Sequence, residues 1–84
     1  MKPVRIYLTD WCPFCSRARM LLDRKGLSYE AIDVDGAPET RKWLTEATGQ
    51  RTIPQIFIGD ESVGGYTELA ALERSGALDM KLAG

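Results

Sequence analysis

Val4-Arg5-Ile6-Tyr7-Leu8-Thr9-Asp10-Trp11-Cys12-Pro13-Phe14-Cys15 is the stretch on which the fold of this 84-residue chain turns. Val4 to Leu8 has the β-branched and aromatic content of a buried strand. Thr9-Asp10-Trp11 is a short loop. From Pro13 the pattern becomes helical: Phe14, Ala18, Leu21 and Leu22 fall at i, i+4, i+7 and i+8. Arg24 and Lys25 load the last turn, and Gly26 is a suitable stop.

Outward from that segment, Tyr29 to Val34 reads as a second strand, broken by Asp35-Gly36. Pro38 suits the first turn of a second helix, with Trp43, Leu44 and Ala47 predicted on its inner face and Gly49 at its end. Gln55 to Ile58 is a third strand. Gly59-Asp60 is a turn and Ser62-Val63 a short fourth strand. A third helix is predicted from Glu68 to Ser75, with Leu69 and Leu72 inward and Gly76 as its stop. Leu78, Met80 and Leu82 fall on a short terminal helix. The order is β-α-β-α-β-β-α. The strand–helix–strand unit implies a parallel pair with a right-handed crossover. The two-residue connection after Ile58 implies an antiparallel hairpin. The expected architecture is an α/β domain over residues 1–84, with a four-stranded mixed sheet and helices on both faces.

Composition narrows the chemistry. Eleven Lys and Arg against twelve Asp and Glu give a net charge of -1, which offers no general reason to expect nucleic acid. The longest uninterrupted apolar run is Leu69-Ala70-Ala71-Leu72, far short of the roughly 20 residues of a membrane span or the roughly 7–15 of a signal-peptide core. The expectation is a cytoplasmic protein with no membrane or nucleic-acid partner. There is no histidine, so Cys–His nucleophilic pairs and imidazole acid–base chemistry are excluded. The two cysteines cannot complete a four-ligand zinc site, and no metal is expected. A disulfide across the C-x-x-C spacing of Cys12 and Cys15 closes too short a loop to stabilise much. Without an export signal, the spacing by itself reads as redox or metal chemistry, and zinc half-sites share it.

Cys12 sits just before the first helix and Cys15 one turn inside it. The first N–H groups of a helix lack partners and carry partial positive charge, so a thiolate at that end is stabilised. Cys12 is therefore the candidate nucleophile, and Cys15, facing inward, the candidate resolving thiol. Pro13 has no N–H to lose at a first helical position. Arg17 and Arg19 either add positive potential or are solvated. Trp11 is either an exposed docking residue or packed down.

Trp11-Cys12-Pro13-Phe14-Cys15, Thr52-Ile53-Pro54-Gln55-Ile56-Phe57-Ile58 and Gly64-Gly65-Tyr66, in that order and spacing over essentially the whole chain, resemble the glutaredoxin family in its small bacterial dithiol type. The resemblance implies a thioredoxin-like fold and a thioltransferase that reduces glutathione–protein mixed disulfides and protein disulfides, with glutathione as co-substrate. It implies a cis Ile53–Pro54 bond lying against the cysteines. Glutathione would then pair with Ile53 as an added strand and contact Phe14 and Thr52. Its γ-glutamyl carboxylate would sit at the helix start formed by Gly65, Tyr66, Thr67 and Glu68, with Thr67 as N-cap. The family commonly has a lysine three residues before the first cysteine, where this chain has Thr9. Arg41, at a position where the family often has a basic residue, and Arg51 are the alternative cations for the glycine carboxylate. Phe14 replaces a common tyrosine, and Thr67-Glu68 replaces a common acidic pair. The resemblance further implies a monomer, disulfide-containing substrates such as ribonucleotide reductase, and glutathione reductase acting only through glutathione.

Two other classes share parts of the pattern. A redoxin serving ribonucleotide reductase and reduced by thioredoxin reductase resembles this chain in Thr-x-Pro. Such proteins usually carry a tryptophan-containing motif near the C-terminus, and Glu73 to Asp79 has no tryptophan. A [2Fe–2S] carrier built from two chains resembles C-G-F-S with one cysteine; here Cys15 is kept and Pro13 stiffens the bridge. A plain binding module leaves Cys-x-x-Cys together with Thr-Ile-Pro unexplained.

Overall fold

The computed structural model describes residues 1–84. Its elements are β1 (Val4–Leu8), α1 (Pro13–Arg24), β2 (Glu30–Asp33), α2 (Pro38–Thr48), β3 (Gln55–Ile58), β4 (Glu61–Gly64), α3 (Tyr66–Ser75) and α4 (Ala77–Ala83). The four strands form one sheet in the order β2-β1-β3-β4. β1 pairs parallel with β2 (Ile6 opposite Ala31) and antiparallel with β3 (Ile6 opposite Ile56). β3 and β4 form an antiparallel hairpin with an irregularity between Ile56 and Phe57. No helix is long and apolar enough to cross a membrane.

Alternation along the two central strands divides the core. Val4, Ile6, Leu8, Ile56 and Ile58 face α1, α3 and α4, where Cys15, Ala18, Leu22, Leu69, Leu78 and Leu82 close the larger cluster. Tyr7 and Phe57 point to the opposite face, with Val34 and with Leu44 of α2. One helix therefore covers one face and three cover the other. Lys25, at the end of α1, reaches Glu73 at 2.9 Å and Asp79 at 2.7 Å. These two ion pairs tie α1 to α3 and α4 and hold the Lys25 ammonium above its ordinary pKa, with Asp79 the larger cause. Gly76, at φ +82°, ends α3 and opens α4 in a left-handed conformation that a side chain would resist.

Several predicted inner-face residues lie elsewhere. On α1 the buried stripe is Cys15, Ala18 and Leu22, spaced i, i+3, i+7. Phe14 is exposed, because its neighbour Cys15 occupies the inward position at the first turn. On α2 only Leu44 is buried. Ala47 is exposed, and Trp43 is 46% exposed. The Trp43 ring nonetheless covers Phe57 at 6.0 Å and Tyr7 at 5.7 Å between centroids. α2 lies alone on its face, so a large ring is half covered there. Met80 is exposed while Leu78 and Leu82, one turn apart, are buried. β2 is shorter than predicted and mostly exposed, as an edge strand. α3 begins two residues earlier than predicted.

These assignments predict that Ile56→Ala lowers stability by about 2–5 kcal/mol, through lost burial plus the cavity it leaves. Met80→Ala should stay within about 0.5 kcal/mol. Urea midpoints of the two variants check this, and equal losses would contradict the placement of the core.

Candidate active site

β1 runs through the sheet centre and delivers the chain, after four residues, to the start of α1. Cys12 is the N-cap, in an extended conformation, and Pro13 stands at the first helical position. The Cys15 N–H donates to Cys12 Sγ at 3.3 Å. This satisfies one of the donors that a helix start leaves open, and points the helix N-terminus at sulfur. The Cys12 thiol in turn approaches the Ile53 carbonyl at 3.9 Å. Cys15 is 1% exposed and belongs to the core. Burial, reinforced by its contact with Cys12, pushes the Cys15 thiol up to about 12, with the Thr9 backbone and Arg19 acting weakly the other way. Both thiols are free. One sulfur is thus partly accessible at a helix terminus, and the other is held as a thiol beneath it.

The Ile53–Pro54 bond is cis. A groove of about 570 Å³ runs along this segment, between Phe14 on one side and the start of α3 on the other. Of the residues expected to hold a peptide, Phe14, Thr52, Ile53, Pro54, Gly65, Tyr66, Thr67 and Glu68 all line it. Phe14 and Tyr66 lie 6.5 Å apart as an aromatic wall. Arg17 sits over the Phe14 ring at 5.2 Å, and Arg19 donates to the Tyr29 hydroxyl at 3.4 Å. Trp11 is 73% exposed, so it is not packed down.

Three expectations are corrected. The N-cap of α3 is Gly65, not Thr67. The Glu68 carboxylate accepts from the Gly65 N–H at 2.7 Å, reaching back from the third helical position, whereas a Thr67 cap hydroxyl would have accepted from an N–H further along the helix. Gly64 has φ +100°, and a Cβ there would stand 2.7 Å from Glu68 Oε1, so this turn needs glycine. Thr9 is 3% exposed. Its hydroxyl is buried without a partner, beneath the site instead of in the groove, because β1 carries it inward. Arg41 does not line the groove either. It lies in an adjoining cleft, where its guanidinium donates to the Arg51 carbonyl at 3.2 Å. Arg51 lines both spaces.

Two glutamines escaped the sequence reading. Gln55 is fully buried, and its amide donates to Gln50 Oε1 at 2.9 Å, to the Thr52 carbonyl at 3.0 Å and to Thr52 Oγ1 at 3.3 Å. It thereby pins the 50–54 loop, and Gln50 lines the groove. The available signal was a polar residue heading the apolar run Ile56-Phe57-Ile58.

A dithiol at this helix start, facing a cis-proline loop on a β2-β1-β3-β4 sheet, defines a thiol–disulfide oxidoreductase of thioredoxin-like fold. The profile of the family described as Glutaredoxin matches residues 4–63. A glutaredoxin of Pseudomonas aeruginosa is 52% identical over 82 residues, covering 98% of each chain. Glutaredoxin 3 of Escherichia coli K12 is 40% identical over 79 residues, covering 94% of this chain and 95% of its own. Among solved structures, a buckwheat glutaredoxin–glutathione complex superposes with a TM-score of 0.92 at 32% identity, over 98% of this chain and 77% of that one. Glutaredoxin from Brucella melitensis superposes with a TM-score of 0.86 at 45% identity, over 100% and 94%. The chain belongs to the glutaredoxin family, among its small bacterial members.

Thiolates, and not thiols, attack alkylating agents, so the raised pKa of Cys15 and its burial have a direct readout. Brief iodoacetamide treatment at about pH 8 should label Cys12 and leave Cys15 intact, and Cys15 should react only as the pH nears 12 or the protein unfolds. Peptide mapping by mass checks this; label found mainly on Cys15 would reverse the two roles.

Proposed function

We propose that this oxidoreductase is glutathione-dependent and acts on glutathione–protein mixed disulfides and on protein disulfides. The observation that carries the reading is the groove, which is lined by Ile53, whose carbonyl the Cys12 thiol approaches, by Pro54 and by the start of α3. It has the form needed by a short extended peptide whose cysteine lies at Cys12. Since Glu68 occupies the Gly65 N–H, the N–H groups of Tyr66 and Thr67 remain for a γ-glutamyl carboxylate. Arg51, at the other side, is the cation for the glycine carboxylate, with Arg41 behind it. The similar buckwheat protein was crystallised as a glutathione complex.

In the proposed reaction the Cys12 thiolate attacks the glutathione sulfur of a mixed disulfide. The old S–S bond breaks, and the substrate protein leaves as a thiolate that takes up a proton. Cys12 then carries glutathione. A second glutathione thiolate attacks that sulfur, releasing oxidised glutathione and restoring Cys12. With a protein disulfide the first attack leaves the substrate bonded to Cys12. Cys15, one helical turn inside, gives up its proton, attacks Cys12 Sγ and expels the reduced substrate. The product is a Cys12–Cys15 disulfide, which glutathione reduces.

The test is turnover of a glutathionyl mixed disulfide coupled to glutathione reductase. Cys12→Ser should abolish activity on both substrate types. Cys15→Ser should retain the glutathionyl route and lose most protein-disulfide reduction. Arg51→Ala should raise KM several-fold, the scale of one exposed ion pair of about 0.2–1 kcal/mol. Thr9→Lys should not lower it, because that side chain is buried. Absence of any glutathione turnover by the wild type would sink the reading.

A further inference from the structure

We propose that the cleft adjoining the glutathione groove is a docking site for acidic residues of polypeptide substrates, on the C-terminal side of the cysteine under attack. The inference rests on the glutathione reading for its direction.

The cleft has a volume of about 410 Å³ and is lined by Pro38, Arg41, Lys42, Thr45, Glu46 and Arg51. None of these is a large apolar side chain. Three are cations and one is a carboxylate, in a chain whose net charge is -1. The three ion pairs of the protein use Lys25 and Lys81, so Arg41, Lys42 and Arg51 are all without a carboxylate partner. Thr45 is occupied, its hydroxyl donating to the Arg41 carbonyl at 3.0 Å. The Arg41 guanidinium is tied to the Arg51 carbonyl, which joins α2 to the 50–54 loop and keeps the cleft open beside the groove. Arg51 is the shared wall.

Glutathione brings a single carboxylate to these three cations, since it ends at its glycine. Glycine is the residue after cysteine in glutathione. A polypeptide whose cysteine lies at Cys12 in the same direction does not end there. Its next residues continue past Arg51 into the cleft, where Arg41 and Lys42 stand unpaired. Acidic side chains at those positions would find two or three cations, basic ones would be repelled, and glutathione itself would be indifferent to Lys42.

The probe is a set of short peptides, each with one cysteine activated as a 2-thiopyridyl disulfide. The Cys12 thiolate attacks the peptide sulfur, the probe's S–S bond breaks, and pyridine-2-thiol leaves with the electron pair, takes up a proton and is read by its absorbance. At low salt, a peptide with two glutamates after the cysteine should react roughly two- to fivefold faster than its alanine counterpart, the scale of exposed ion pairs. A peptide with the glutamates before the cysteine should show no gain. The advantage should vanish near 1 M salt, where the Debye length falls to about 3 Å, and in Lys42→Glu. The same variant should turn over a small glutathionyl disulfide like the wild type. Equal rates for all peptides, or a gain that Lys42→Glu leaves undiminished, would overturn the proposal. If instead the wild type fails with glutathione while the acidic preference and its loss in Lys42→Glu persist, the glutathione reading falls and the cleft stands.

Discussion

Cys12 and Cys15 are three residues apart on one helix and have opposite requirements. Cys15 must pack among Ala18, Leu22 and the sheet, while Cys12 must stay at the mouth of the site. A helix start meets both requirements, because an N-cap residue lies just off the helical path and the third helical residue faces inward one turn below it. The N–H of Cys15 then binds the sulfur of Cys12. The position of the reactive sulfur is therefore set by core packing, through β1 and α1, and not by the loop that precedes it. The same burial that orders Cys15 also keeps its proton on, so packing and division of chemical labour have one cause.

The remainder of the site is brought to Cys12 from remote parts of the chain, and polar side chains hold it there. Gln55 fastens the 50–54 loop with a single buried amide. Glu68 fastens the α3 start by taking the Gly65 N–H, and Gly64 and Gly65 let that turn approach Glu68 and the Pro54 carbonyl closely. Arg41 fastens α2 to the same loop. The 50–54 loop and the start of α3, which form much of the groove, are thus each held by hydrogen bonds of side chains to the backbone.

Periodicity and turn chemistry carried most of the architecture into the sequence. Four strands, their order along the chain and the hairpin at Gly59-Asp60 were all legible there, because β-branched runs and glycine breaks leave local signals. The two cysteines and Thr52-Ile53-Pro54 were legible because their spacing has few other uses. What misled was local pattern where tertiary packing decides. Phe14 fits a helical stripe but yields the inward place to Cys15. Trp43 fits an inner face but lies on a helix without neighbours. Thr67 is a good capping residue, but a carboxylate three positions after Gly65 competes successfully for the cap. Thr9 stands where the family commonly has a lysine, yet the side chain at that position is buried under the site.

The two rims of the sheet have a further consequence. β2 and β4 each have one side unpaired, and an unpaired strand is a template on which another chain can extend the sheet. Both are only four residues long. Exposed acids stand on them, Glu30 and Asp33 on β2 and Glu61 on β4, the last held by Lys81 at 2.6 Å. Two copies meeting rim to rim would bring like charges together along a short register. Brevity and charge thus guard both rims of the molecule against cross-chain sheet growth.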